Sequence, residues 1–388
     1  MSEPRPTETL LPLLDRVPPA DAAWARRARS VVGEHVQPTI EGDVEAARFR
    51  HEVVAAFAEA GLLGLHIDGY GCAGASPLAY GLVCHEVEAV DSGWRTLLSV
   101  QGSLAMGAIA QFGSVEQKTQ LLPRMARGEV IGCFGLTEPA GGSDPAAMTT
   151  VARRDGDDWV LDGTKRWIGL ATIAEVAVIW ARTDAGVRGF VVPTDSRGFH
   201  ATAITGKYAM RSSIQCEIVL DGVRLPADAI LPEAEGLRAP FACLNDARYG
   251  IAWGVTGIAR ACIDAAVDFA RTRPLFGEPL AAKQLAQDKL ARMFVRYETS
   301  VLLALELARL KALGPLDPVQ ISVGKLNNVR DAVAVAHAAR ELLGGDGITS
   351  AYPVMRHLAN LEAVRTYEGT DDIHTLIIGR ALTGHSAF

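Results

Sequence analysis

Between about residues 133 and 235 the chain changes texture, and it changes back afterwards. Before this stretch the apolar residues recur at helical spacing; within it they fall into short β-prone runs separated by Gly/Asp turns. After it, long helical stripes return. That order, helices then strands then helices, constrains the fold more than any single motif, because each block must close its own apolar face.

The first block is helical from residue 8 to about 132. Ala22 to Val36 stops before Pro38, and His51 to Ala60 stops at Gly61, as a glycine C-cap requires. Ser76-Pro77 reads as an N-cap and first helical residue, Trp94 to Gln111 as a further helix, and Ser114 with Gln117 as a capping box. The middle block, 133–235, contains Val151–Arg154, Trp159–Leu161, Val176–Trp180, Gly189–Val192 and Ile214–Leu220. Strands at such close intervals predict a small antiparallel barrel or sandwich. In the last block, 239–388, Ile251, Val255, Ile258, Cys262, Ala266 and Phe269 form one buried stripe, and two more long stretches follow after short breaks. An antiparallel four-helix bundle is the expected packing. The fold class is α+β, multidomain and mostly α.

A net charge of −7 over 388 residues disfavours nucleic acid as a partner. No apolar run reaches the length of a membrane span by inspection, and Met1–Pro6 lacks the apolar core of a secretory signal. The six cysteines are scattered without Cys-x-x-Cys spacing, so neither a metal site nor a disulfide frame is expected, and a cytoplasmic location is.

Four constellations carry chemistry. Tyr367-Glu368-Gly369-Thr370-Asp371-Asp372 places a carboxylate on a glycine turn, with Thr370 and Asp372 of the types that cap the next helix. A solvated Glu before a helix is the rival reading. Phe134-Gly135-Leu136-Thr137-Glu138-Pro139, followed by Gly142 and Ser143, offers close-approach backbone and hydroxyls, or else an ordinary domain junction. Arg273, Phe276 and Gln284, with Leu343-Gly344-Gly345, combine a guanidinium with glycines; a helix C-cap is the alternative, and no βαβ unit supports a dinucleotide fingerprint. Arg95 lies in an apolar stretch where a guanidinium needs a partner, and Glu88 two turns earlier could supply a structural ion pair. No Gly-x-Ser-x-Gly, P-loop or His-Glu-x-x-His string is present.

These segments together resemble the acyl-CoA dehydrogenase family, most closely the glutaryl-CoA dehydrogenases, from the Gly69 loop to Phe388. The resemblance implies that fold, FAD as cofactor and an acyl-CoA as substrate. It implies Glu368 as catalytic base, flanked by Tyr367 and Gly369. Phe134, Leu136, Thr137, Gly142 and Ser143 would line the flavin, with Ser143 also beside the CoA chain. Trp167 and Ile168 would pack on the flavin, with Thr370 and Asp372 also on the cofactor. Arg273, Phe276, Gln284, Leu343, Gly344 and Gly345 would bind the ADP half across a subunit interface, in a homotetramer. Glu88, Arg95, Thr96 and Ser99 match the part that holds a distal carboxylate; Leu244, Asn245 and Arg248 fall at CoA-contacting positions. One departure is Gly169, where the family usually has Thr or Ser. It is expected to open space near the redox-active edge, which keeps oxygen alive as an acceptor beside an electron-transfer flavoprotein. An acyl-CoA oxidase, a dehydrogenase of another carboxylated thioester, and a catalytically silent binding relative are the alternatives.

Overall fold

The computed structural model describes Leu10 and residues 12–386, so the Met1–Pro6 tail and residue 8, where the first helical block was set to begin, lie outside the described residues. The first block folds into α1 (Pro19–His35), α2 (Ile40–Glu45), α3 (Val54–Glu59), α4 (Pro77–Val90), α5 (Ser92–Leu98), α6 (Gly107–Phe112) and α7 (Val115–Ala126). The start of α4 follows the expected chemistry: Ser76 Oγ accepts from the Ala79 amide at 3.0 Å, and Pro77 fills the first helical position, where no amide is needed. At α7 both halves of the Ser114–Gln117 capping box are made. The stretch expected as one helix over Trp94–Gln111 is interrupted. Between α5 and α6, Ser99–Met106 is π-helical, and all eight of its residues are buried. Such widened turns are frequent at functional sites.

Asp91, between α4 and α5, is fully buried and caps α5 by accepting from Gly93 N at 2.7 Å. It also receives Ser212 Oγ, from the loop before the last long strand, and Asn360 Nδ2 at 2.9 Å, from a late helix. All three blocks therefore grip the start of α5, the helix that carries Arg95.

The middle block is one seven-stranded sheet: β1 (Gly132–Gly135), β2 (Val151–Asp155), β3 (Asp158–Gly169), β4 (Val176–Thr183), β5 (Gly186–Pro193), β6 (Phe199–Ala203) and β7 (Gln215–Leu225). The order is β1-β4-β2-β3-β7-β6, with β5 on β4. The expectation of a purely antiparallel unit is corrected here. β1 runs parallel to β4, from Gly132↔Val176 to Gly135↔Ile179, and β2 meets β4 in parallel at Val151↔Arg182. Alternation and turn residues reveal strands and hairpins, but not that the chain returns to β1 only after a crossover through β2 and β3. In β3 the register slips between Lys165 and Ile168, so Arg166 and Trp167 drop out of the ladder with β7.

The last block is α8 (Arg238–Thr272), the short strands β8 (Pro274–Leu275) and β9 (Glu278–Pro279), α9 (Gln284–Lys311), α10 (Pro318–Leu342), α11 (Val354–Val364) and α12 (Asp371–Thr383). The predicted stripe from Ile251 to Phe269 is buried and packs with Met293, Val301, Val329 and Val335 in a core of its own. By length and composition α8 could cross a membrane, contrary to the inspection of the sequence, but 83% of its apolar window is buried inside the protein. It is the core helix around which the bundle is built.

Candidate active site

The turn from Tyr367 to Thr370, between α11 and α12, is held in an unusual backbone conformation. Glu368 has φ 54° and Gly369 φ 93°, two left-handed residues in succession. Glycine takes that region freely; a glutamate there is strained and persists only where its surroundings over-determine it. Three hydrogen bonds from two buried side chains do so. Lys325 Nζ, from α10, donates to the carbonyls of Tyr367 and Gly369, the latter at 2.6 Å, and Arg248 Nε, from α8, donates to the Glu368 carbonyl at 2.7 Å. Thr370 then caps α12 by accepting from Ile373 N at 3.2 Å. Asp372 lies exposed in the first turn, while Asp371 pairs with Arg365 at 2.9 Å.

Glu368 as a residue is half-buried, but its Oε2 is sealed from solvent and lacks a hydrogen-bond partner. Burial raises its pKa, against the pull of Arg95, Lys325 and Arg248. The carboxyl is thus a stronger base than one in water, surrounded by cations that keep its charged form accessible. Reciprocally, burial lowers the Lys325 pKa to about 7.

Arg95 is fully buried on α5. Its Nε donates to Glu88 Oε2 at 2.8 Å and its Nη2 to Tyr367 Oη, while Nη1 is buried with no partner. The structural ion pair expected as the bland reading is therefore present, yet it satisfies only part of the guanidinium. Two cationic side chains approach the Tyr367 ring, with Arg95 Cζ 5.8 Å and Lys325 Nζ 5.9 Å from its centroid. Ser99, the first residue of the π-helical turn, is fully buried, and its hydroxyl has no hydrogen-bond partner. Thr96 follows Arg95 with its hydroxyl likewise out of solvent. Leu244 and Asn245 are half-buried at the start of α8, and Asn245 Oδ1 accepts from Arg248 Nη1 at 3.1 Å. Arg248 was expected toward CoA; here Nε donates to the Glu368 carbonyl and Nη1 to Asn245.

The strip from Phe134 to Ser143 is anchored from beneath. Phe134 and Leu136 are nearly buried, Thr137 is half-exposed, and Gly142 and Ser143 are open. Glu138 accepts from Thr149 N at 2.6 Å, Thr150 N at 2.9 Å and Lys165 Nζ at 2.9 Å, and these bonds hold its pKa down at about 2. Lys165 Nζ also donates to Leu136 O at 3.1 Å. The Arg166 amide donates to Thr137 O at 2.9 Å, which joins this strip to the bulge of β3. At the bulge Trp167 has φ 62° and is 53% exposed, a large aromatic face left uncovered, whereas Ile168 is buried. An open indole beside open glycine backbone and hydroxyls fits a flat heteroaromatic cofactor such as FAD.

Gly169 corrects one expectation. A β-carbon there would lie 3.0 Å from Val100 Cγ2, so the space left by the missing side chain is occupied by Val100 of the π-helical turn.

At the far end of the bundle, Arg273 Nη1 lies 3.8 Å from Asp346 Oδ2, which brings the two remaining strips side by side. Arg273, Phe276, Gln284, Gly344 and Gly345 are exposed there, Phe276 by 91%, whereas Leu343 is buried in the bundle core.

Sequence reasoning passed over Lys325, Lys165 and Val100. Lys325 did leave a signal, since it interrupts the buried stripe Ile321–Val329 at helical spacing. Lys165 lies two residues before Trp167, and its type alone does not mark it as an anchor of the 134–143 strip.

Comparison with known proteins accounts for the whole arrangement. The chain matches the family models for the acyl-CoA dehydrogenase N-terminal domain over residues 18–129, middle domain over 133–223 and C-terminal domain over 234–383. A glutaryl-CoA dehydrogenase from Mycobacterium smegmatis is 54% identical, with a TM-score of 0.97 over 99% of this chain and 100% of that one. A glutaryl-CoA dehydrogenase of the same organism, solved in complex with FADH2, is 50% identical with a TM-score of 0.98 and the same coverage. The mitochondrial short-chain specific acyl-CoA dehydrogenase of Bos taurus is 35% identical over 338 residues, 85% of this chain and 82% of the relative. Matched in order through all three of its parts, the chain belongs to the acyl-CoA dehydrogenase family.

Proposed function

We propose that the protein is an FAD-dependent glutaryl-CoA dehydrogenase, which oxidises its substrate across Cα–Cβ and releases CO2 to give crotonyl-CoA. The observation that carries the substrate is the spare Nη1 of Arg95. It is a buried donor of a fixed cation whose other two nitrogens are engaged by Glu88 and Tyr367. A distal carboxylate would complete it with a charge-assisted hydrogen bond, whereas a methyl group would leave it stranded.

Glu368 removes the α-proton. A thioester α-proton is too weakly acidic for a carboxylate in water, so the developing enolate oxygen must meet a fixed donor, and we assign the Glu368 backbone N–H to it. Trp167 and the 134–143 strip would hold FAD, which when bound would supply the acceptor for the hydride that leaves Cβ. The product glutaconyl-CoA loses CO2 because the electrons of the breaking bond delocalise through the new double bond into the thioester; protonation of that dienolate gives crotonyl-CoA.

Further parts of the reading concern partners. Arg273, Phe276, Gln284, Gly344 and Gly345 form an exposed strip suited to the ADP half of a neighbouring subunit's cofactor, and we infer a homotetramer. Val100 fills the space at Gly169, which favours an electron-transfer flavoprotein over oxygen as acceptor. Six unpaired cysteines suit a reducing compartment, and hence the cytoplasm. The deciding experiment is anaerobic flavin bleaching against glutaryl-, butyryl- and other acyl-CoAs, with product mass and CO2 recorded. Bleaching by glutaryl-CoA with release of CO2 is expected; bleaching by butyryl-CoA alone sinks the substrate assignment.

A further inference from the structure

The left-handed turn at Glu368 has no regular backbone ladder to enforce it. Its three successive carbonyls, those of Tyr367, Glu368 and Gly369, are instead each met by a cationic side chain from another helix. Lys325 alone bridges the two flanking carbonyls, and so spans the residue between them. It is 1% exposed, and the buried stripe that carries it includes Ile321 and Val329 as well as the polar Ser322 and Asn328. Burying a lysine is costly, and an apolar side chain would pack the stripe better if stability were the only demand. Orientation is what the lysine adds. With both flanking carbonyls clasped, the peptide planes on either side of Glu368 cannot rotate, and its carboxylate has one direction in which to point.

From these contacts we infer that Lys325 is a positioning residue of the reaction: by clasping the carbonyls of Tyr367 and Gly369 it fixes the strained turn that aims the Glu368 carboxylate. This rests on the reading of Glu368 as the base. The groups facing Glu368 are Arg95 from α5, Arg248 from α8, Lys325 from α10 and Glu88 from α4, with Tyr367 beside it and His374 behind the turn. Removing Lys325 therefore subtracts one of three cations as well as the clasp.

The test uses the FAD-loaded enzyme with Lys325→Met. A displaced base lowers kcat on glutaryl-CoA by about 30-fold or more, while the Kd of a non-oxidisable thioether analogue of glutaryl-CoA changes by less than about threefold. The acid limb of kcat/KM moves to higher pH, because one cation fewer stabilises the carboxylate. The same displacement is read without turnover, as the pH at which the infrared band of the protonated carboxyl appears, assigned by its loss in Glu368→Gln. In Lys325→Ala, ethylammonium in the buffer should restore part of kcat. A purely structural lysine would move flavin content and heat stability but neither the limb nor the carboxyl band. Wild-type kcat and an unmoved limb in Lys325→Met, with Glu368→Gln inert, overturn the proposal and leave the base standing. Glu368→Gln that still reduces its flavin overturns the base reading itself. Should Lys325→Met fail to fold, a crystal structure of the wild-type holoenzyme with the bound analogue decides. Nζ on both carbonyls supports the clasp, and Nζ turned away from them overturns it.

Discussion

A β-carbon on Gly254 would lie 1.8 Å from Oε2 of Glu88, so the bare face of α8 at this position is the seat of the carboxylate that holds Arg95. Two effects oppose each other in Gly254→Ala. Helix propensity favours alanine by about 1 kcal/mol. Displacing a buried carboxylate from its guanidinium costs about 3–5 kcal/mol when the pair breaks outright, and overpacking alone costs about 1–3 kcal/mol. The clash wins. Chemical denaturation should show a net loss of stability, and kcat/KM for glutaryl-CoA should fall about tenfold or more as Arg95 loses its anchor. Unchanged values for both would mean that Glu88 relocates freely and does not fix Arg95.

Arg95→Met tests substrate choice. The spare Nη1 should favour glutaryl-CoA over butyryl-CoA by about 2–4 kcal/mol, since one thioester satisfies the guanidinium and the other strands it. The variant should lose most of its kcat/KM on glutaryl-CoA and keep or gain activity on butyryl-CoA. Ser99→Ala should act in the same direction more weakly, as a neutral donor contributes less than a charged one. Equal losses on both thioesters would make Arg95 structural, and the dicarboxylate assignment would fall.

Glu368→Gln should retain FAD but lose turnover by about 10³-fold or more, as the loss of an essential general base demands. The sign of the pH dependence follows from the direction of the shift. Burial raises the Glu368 pKa, and the base works ionised, so wild-type kcat/KM falls as pH drops through a value above the ordinary glutamate range. The same shift speaks to stability. A carboxyl whose folded pKa is raised contributes stability that is present below its unfolded pKa and lost as pH rises through the folded one. Near neutrality the wild type carries that loss and the amide does not. Glu368→Gln should therefore melt at a higher temperature than wild type at pH 8, with the gap closing toward pH 4. A glutamine variant that melts lower at pH 8 would show that the carboxylate is well compensated in the fold.

How far the sequence carried the argument depends on what kind of contact was involved. Local chemistry was legible: Ser76-Pro77, the Ser114–Gln117 box and the Thr370 cap are decided by residues within four positions of each other, and all three are made as expected. The stripe from Ile251 to Phe269 was legible because helical burial is periodic. Contacts between distant segments left fainter marks. The parallel pairing of β1 with β4 depends on chain return, which no local pattern records. Lys325 meets Tyr367 and Gly369 across 42 and 44 positions. Its only trace was a charge on a buried helical stripe, which is equally the mark of a snorkelling lysine. Gly169 misled for the same reason: a missing side chain was visible, but the Val100 that fills its place, in a π-helical turn, was not.

The contact between Gly169 and Val100 also decides how the reduced enzyme should meet oxygen. Gly169 does not have a positive φ, so a larger residue there is opposed by Val100 rather than by the backbone. At 3.0 Å, Val100 Cγ2 must give way by a few tenths of an ångström, and it is itself 7% exposed in a fully buried turn. Gly169→Ala should cost about 1–2 kcal/mol from overpacking, and Val100→Ala about 1–2 kcal/mol from the cavity it leaves. The double variant should be more stable than the sum of the two losses by about 1 kcal/mol, because each change accommodates the other. Stopped-flow reoxidation adds the functional half. Wild type with Val100 in place should reoxidise slowly in air, and Val100→Ala, with that space open, should do so several-fold faster. If the wild-type enzyme turns over with oxygen as fast as with an electron-transfer flavoprotein, Val100 is not a barrier, and the acyl-CoA oxidase reading takes precedence over the dehydrogenase.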